Sequence, residues 1–331
     1  MFNRRDLLAV PLALTVAASA KARPRRAQAS RGIPVIFHTD IGYDVDDTWA
    51  LLLLLRSPEL DLKLVVTDVD NTTYRARVAA KLLHLGGRHD VVVATGPKAG
   101  DAPGPQSGWV GDFTLETYGG PVRRDGAQAI VDTIMTSKTP VTIISTGPAT
   151  LSAAALLLEP RIAGKARFVA MDGSIRVGYG GAAKPEIEYN VKTDPAALRA
   201  VFAAPWSCSI TPLDTCGTFV LDGADYQEVL KSPDPFARAV IANSRTWLPN
   251  APWMAKDYDL NSHSSTLFDA VAVVMAYDES DLVMETLPIF VRDDGMTVID
   301  PVNGRPVRCA TAWRDLAGMK RKLAQRMTSV D

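Results

Sequence analysis

At 331 residues the chain is long enough to bury a large core, and 47% hydrophobic with 22% charged residues is the balance of a globular protein, not of a disordered or fibrous one. A formal net charge of -1 leaves no global field to gather a nucleic-acid backbone or an anionic membrane. A small, locally recognised ligand is therefore expected, with no nucleic-acid partner and no stable membrane insertion.

In chain order, Arg4 and Arg5 precede an apolar run from Ala9 to Ala20 that is too short to span a bilayer. Ala18-Ser19-Ala20 and Ala27-Gln28-Ala29 both have the small-x-small form of a cleavage site. The paired arginines resemble a twin-arginine export signal, so residues 1–30 read as a removed signal and residues 31–331 as one domain of a periplasmic or exported protein. The cysteines, Cys208, Cys216 and Cys309, are odd in number and lack CxxC spacing, which argues against a disulfide framework or a thiolate metal site.

From Pro34 the pattern alternates short apolar runs with helical segments. Strands are predicted at Pro34 to Phe37, Leu62 to Thr67, Val91 to Ala94, Val141 to Ser145, Ala166 to Met171 and Ser209 to Leu213. Helices are predicted from Thr48 to Leu55, capped by Asp46 or Asp47, then from Thr73 to Leu85, Ala149 to Leu158 and Pro195 to Phe202. Continuous apolar strands alternating with helices predict an α/β fold: an open, mostly parallel, Rossmann-like sheet with helices on both faces. Such sheets bind ligands at the carboxyl ends of their strands, and Asp40, Asn71, Thr146 and Asp172 each follow a strand-like run. Two segments rich in loop residues, Gly96 to Gly120 with Trp109 and Trp247 to Ser265 with Trp253, read as long loops around the pocket mouth.

Asp40, Asp44, Asp46 and Asp47 crowd into eight residues just past a buried strand. Their mutual repulsion requires hydration, protonation or a cation, and oxygen-only ligands favour calcium or magnesium over zinc. The spacing is not an EF-hand. On composition alone, a solvated acidic turn accounts for the cluster equally well.

The run from His38 to Leu51 resembles the amino-terminal signature of the inosine-uridine-preferring nucleoside hydrolase family, in a longer DIGxDxDD form of the usual DxDPGxDDAxAL. The resemblance continues through Val66 to Asn71, through Ser145 to Thr150 with Leu158 to Ile162, through Pro185 to Asn190 with Asp194-Pro195, and through Leu267 to Ala272. It implies a calcium-dependent hydrolysis of the N-glycosidic bond of ribonucleosides, giving ribose and free base. Calcium would be held by Asp40, Asp47, the Thr146 carbonyl and Asp269, with Asp40 also the general base toward a metal-activated water. Asp46 and Asn71 would bind the 2′- and 3′-hydroxyls, Glu188 and Asn190 would face the 5′ side, and Met171 would line the sugar pocket. The family also implies a homodimer or homotetramer.

Three positions depart from the family pattern. His38 replaces an aspartate behind the metal site, with the extra Asp44 a candidate compensation; Ala182 replaces an asparagine that contacts the 5′-hydroxyl. Phe268 stands where a histidine often assists the departing base, and a phenyl ring donates no proton. Trp109, Trp247 and Trp253 are candidates for stacking on the base, and His263 is a candidate acid. Two other readings stay open: a non-catalytic nucleoside or sugar binder on the same scaffold, and a hydrolase of another ribosyl compound.

Overall fold

The apolar runs fold as the predicted strands. A computed structural model describes residues 32–253 and 258–329; the export-signal reading of residues 1–30 lies outside the described residues. The strands are β1 (Ile33–Thr39), β2 (Leu60–Thr67), β3 (Val92–Thr95), β4 (Val122–Arg123), β5 (Val141–Ser145), β6 (Ala166–Ala170), β7 (Cys208–Ile210), β8 (Val220–Asp222), β9 (His263–Thr266), β10 (Leu282–Val291), β11 (Thr297–Ile299) and β12 (Arg305–Trp313).

Ten of them form one sheet in the order β11-β10-β12-β7-β6-β5-β1-β2-β3-β4, while β8 and β9 pair separately. Neighbours from β4 across to β12 run parallel, and β10 and β11 add an antiparallel edge. This is the open, mostly parallel α/β sheet expected from the sequence. Successive residues of β1 feed two cores. Val35 and Phe37 pack with the helices Asp46–Leu55, Thr72–Leu85 and Phe268–Met275, and Ile36 packs with Gly126–Thr136, Thr150–Leu158 and Pro195–Ala203. Burial on both faces is why these strands are apolar without alternation.

The antiparallel edge was not marked by the sequence, because β10 is half-exposed along most of its length and carries no buried run. Three further expectations differ from the structure. Neither Asp46 nor Asp47 caps the first helix; it starts at Asp46 after Val45, with no side-chain cap, and both aspartates lie in its first turn. The segment Gly96 to Gly120 is not all loop, since it carries the short helices Ser107–Val110 and Leu115–Tyr118. Trp247 likewise belongs to the helix Pro235–Trp247 and is fully buried, so it cannot line a pocket mouth. Among the described residues no helix is long and apolar enough to cross a membrane.

Candidate active site

The sheet order reverses at β1, whose neighbours β5 and β2 lead the chain away in opposite directions. A crevice opens at the carboxyl ends of strands at such a point. Asp40 leaves β1 there, Thr146 leaves β5 and Met171 leaves β6. The approach of the first two is close: a Cβ on Gly147 would sit 2.8 Å from the Asp40 backbone nitrogen, so only glycine fits. Two buried helices, Asp46–Leu55 and Phe268–Met275, present their first turns to the same crevice with Asp46, Asp47 and Asp269. The unpaired N–H groups of a helix start favour negative charge.

Asp46, Asp47 and Asp269 each bring a carboxylate oxygen to within 4.8 Å of the others, all three buried. Asp47 Oδ1 accepts from Thr146 Oγ1 at 2.8 Å and from the Thr39 hydroxyl. The Asp40 and Asp47 carboxyls, and those of Asp46 and Asp269, face each other and bond only when one of each pair is protonated. Burial first, then mutual repulsion, pushes Asp46, Asp47 and Asp269 well above the usual carboxylate range. Asp40 is raised too, chiefly by burial, with the Arg75 guanidinium opposing the shift. Protonated, the oxygens share hydrogen bonds; deprotonated, they are an all-oxygen donor set, which fits a hard divalent cation.

Glu188 closes another side of the cavity. Its oxygens accept from the backbone N–H groups of Gly173, Asn190 and Val191, yet burial still pushes its carboxyl up to about 7. Asn190 Nδ2 donates to the Met171 carbonyl at 3.0 Å, so Asn190 is braced against β6 while lining the cavity. Asp172 is also buried, and burial pushes it well above the usual range, but it does not line the cavity.

The cavity has a volume of about 280 Å³. Asp40, Asp46, Asp47, Thr146 and Asp269 line it together, and Met171, Glu188, Asn190, Phe268 and Trp253 complete much of its wall. Three aromatic rings at its mouth lie parallel: Tyr43 stacks on Trp253 at 4.7 Å between centroids and on Tyr189 at 5.6 Å. Phe268 meets Tyr179 edge-on at 6.0 Å. Sequence reasoning missed Tyr43, Tyr179 and Tyr189, although Tyr43 sits inside the aspartate run itself.

Three expected residues stand elsewhere. Asn71 caps the helix Thr72–Leu85 through Tyr74 N and donates to the Ala102 carbonyl; it lines the neighbouring groove, not the carboxylate cavity. Trp109 lies under the Lys81 ammonium, 4.5 Å from the ring centroid. His263 starts β9, where its ring meets Tyr258 and its Nδ1 the Ser264 carbonyl. None of the three lines the cavity. His38 is fully buried behind it, between Asp68 at 3.1 Å and Ser152 at 2.9 Å. Asp68 thus supplies a carboxylate behind the site, and Asp44 lines the cavity with its Oδ1 turned onto the Val45 N–H.

The sequence profile of inosine-uridine preferring nucleoside hydrolases matches residues 35–331. A pyrimidine-specific ribonucleoside hydrolase RihA from Citrobacter koseri is 30% identical over 219 residues, covering 63% of this chain and 69% of that one. The RihA of Escherichia coli O1:K1 is 33% identical over 181 residues, 51% of this chain and 57% of its own. Among solved structures, a plant nucleoside hydrolase, PpNRh1, superposes with a TM-score of 0.74 at 22% identity, covering 90% of this chain and 99% of its own. An inosine-guanosine nucleoside hydrolase gives 0.71 at 17%, covering 89% and 98%. At those identities the two structures speak for the fold alone, whereas the profile spans nearly the whole described chain. The chain belongs to the inosine-uridine preferring nucleoside hydrolase family and is a ribonucleoside N-glycosyl hydrolase.

Proposed function

We propose that the enzyme is calcium-dependent and that Asp40 is its general base. The observation that carries this reading is the buried cluster of Asp46, Asp47 and Asp269 beside Asp40, an arrangement stable in its charged form only with a cation. Asp40, Asp47, the Thr146 carbonyl and Asp269 would hold the ion. Calcium bound there supplies a Lewis acid and lowers the pKa of a coordinated water.

Every other role falls to the chain. Asp40 takes the proton of the attacking water, which adds to the anomeric carbon as the bond to the base nitrogen breaks. Asp46 accepts from the ribose hydroxyls, while Glu188 and Asn190 flank the sugar, and these carboxylates oppose positive charge growing on the ring. Asn71 is a weaker candidate for the hydroxyls, since its side chain is spent on a helix cap and a loop carbonyl. Phe268 donates no proton and His263 is not at the cavity, so the electron pair of the broken bond leaves with the base, which takes its proton from water while the Tyr43–Trp253 stack holds it.

Incubating the protein with calcium and a ribonucleoside panel headed by uridine and cytidine, with free ribose as readout, tests this. The RihA relatives are named for pyrimidine ribonucleosides, which sets the order. Ribose release that stops with a chelator and in Asp40→Ala is expected; ribose from a non-nucleoside riboside alone would move the substrate to another ribosyl class.

Export and assembly belong to the same proposal. Arg4-Arg5 ahead of the apolar run supports a twin-arginine route to the periplasm, and replacing both with lysine should retain the protein in the cytoplasmic fraction. Light scattering should report a homodimer or homotetramer.

A further inference from the structure

The loop that carries the aspartates has a peculiar hydrogen-bond pattern. Among the described residues, no backbone N–H donates to the carbonyls of Ile41, Gly42, Tyr43 or Asp44. Each of these four successive carbonyls instead accepts from a different side chain. Arg75 Nη1 reaches Ile41 at 3.3 Å, Tyr74 Oη reaches Gly42 at 2.9 Å, Trp247 Nε1 reaches Tyr43 at 3.0 Å and Gln106 Nε2 reaches Asp44 at 2.7 Å.

The donors come from two helices and the segment before a third, and all four side chains are buried. We propose that Arg75, Tyr74, Trp247 and Gln106 are positioning residues that hold loop 41–44 in its cation-binding conformation, one carbonyl each. The inference rests on the calcium reading for its link to the metal, but the tethering itself does not.

The donor assignments are fixed by their surroundings. Gln106 Oε1 already accepts from Thr48 Oγ1 at 3.2 Å and Asn243 Nδ2 at 2.9 Å, so its amide nitrogen must face Asp44. Gln106 N donates to the Tyr74 hydroxyl at 3.0 Å, which leaves the hydroxyl proton for Gly42. Gly42 adopts φ +105°, and a Cβ there would lie 2.9 Å from the Tyr74 ring, so the tyrosine and the glycine fit only as a pair. Arg75 spans two turns: its Nε also donates to Val69 at 3.0 Å, and Val69 and Asp70 both hold positive φ, 55° and 50°.

This pattern answers a physical need. A stretch whose carbonyls take no backbone hydrogen bond has many conformations to lose on ordering. Its carboxylates also repel one another when charged. Side-chain donors on rigid elements oppose both effects and preorganise the site. The same tethers set the roof, because fixing the Tyr43 carbonyl places its ring between Trp253 and Tyr189.

Tyr74→Phe, Gln106→Met and Trp247→Phe each remove the donor to one loop carbonyl; the first also removes the acceptor of Gln106 N, the second that of Thr48 and Asn243, and Trp247→Phe removes the indole donor alone. Tyr226→Phe is the control: its buried hydroxyl donates to Leu260, a carbonyl outside the site, at 2.7 Å. Two measurements on folded protein decide the matter: amide hydrogen exchange of residues 41–45 without metal, and calorimetric titration with calcium chloride. Faster exchange in the loop and about tenfold weaker calcium binding per donor removed are expected, with the Tyr226 variant matching the parent. Unchanged loop exchange in both Tyr74→Phe and Gln106→Met overturns the tethering. Faster exchange with calcium affinity within twofold of the parent overturns its link to the cation. A parent that takes up no calcium sinks the calcium reading, while the exchange result still decides whether the tethers hold the loop.

Discussion

Thr146 Oγ1 donates to Asp47 Oδ1 at 2.8 Å, joining the end of β5 to the first turn of the helix that leaves the aspartate loop. One Asp47 oxygen is thereby fixed from two strands, since the Thr39 hydroxyl at the end of β1 reaches the same atom. A carboxylate held this way meets a cation without first losing its own freedom. Thr146→Val keeps the shape and removes the donor. Outer partners of a metal ligand contribute roughly 10–100-fold to metal affinity or activity, and a loss of that size in calcium affinity, read by calorimetry, is expected. Affinity equal to the parent would show that Asp47 needs no such brace.

The acidic site should also leave a mark on stability. Burial raises Asp44 and Glu188 to about 7, and pushes Asp46, Asp47 and Asp269 well above their usual range. An acid raised on folding makes the folded state bind more protons than the unfolded one, so its stabilising effect is present below the unfolded value and fades as pH climbs through the folded value. For Asp44 and Glu188 that window runs from about pH 4 to about pH 7. The metal-free protein should therefore melt at lower temperature at pH 8 than at pH 5, and added calcium should restore more stability at the higher pH. A melting temperature that rises with pH without metal would contradict the burial of these acids.

How much of this was legible in the sequence follows from the kind of signal each part carries. The parallel strands were readable because burial on both faces demands unbroken apolar runs, as in Leu64, Val65 and Val66 of β2. The antiparallel β10 was not, since one half-exposed strand has no such run. The carboxylates Asp40, Asp46, Asp47 and Asp269 were readable by motif and do meet in one cavity. Tyr179 and Tyr189 were not, because each opens a helical turn of only three to five residues, Tyr179–Gly181 and Tyr189–Thr193, too short for periodicity to say whether the ring packs or lines a site. Asn71 carries a weaker signal: asparagine after a strand serves a helix start as readily as a ligand, and here its oxygen accepts from Tyr74 N.

His38 raises a separate expectation. It has no solvent exposure, and its ring is held between Asp68 Oδ2 and Ser152 Oγ. His38→Leu fills similar space but leaves Ser152 and one Asp68 contact unpaired in a dry interior. An unsatisfied buried polar group costs about 1–3 kcal/mol, so the denaturant midpoint should fall accordingly. The Asp68 carboxylate keeps the N–H groups of Val69 and Leu151, which limits the loss. An unshifted midpoint would mean that the His38 pairing contributes nothing to the fold.

The leaving-group side gives the clearest contrast between two residues that the sequence marked together. Trp253 lines the cavity and stacks on Tyr43 with an interplanar angle of 6°, whereas His263 is engaged with Tyr258 and the Ser264 carbonyl away from it. Aromatic pairs contribute about 0.5–1.5 kcal/mol beyond simple burial, which corresponds to roughly 2–12-fold in kcat/KM. Trp253→Ala should lose about that much on a ribonucleoside, and His263→Ala should lose nothing measurable. Measuring kcat/KM across pH separates the two. Loss of the basic limb in His263→Ala would make the histidine the proton donor after all, and would require the segment around it to close on the cavity during turnover.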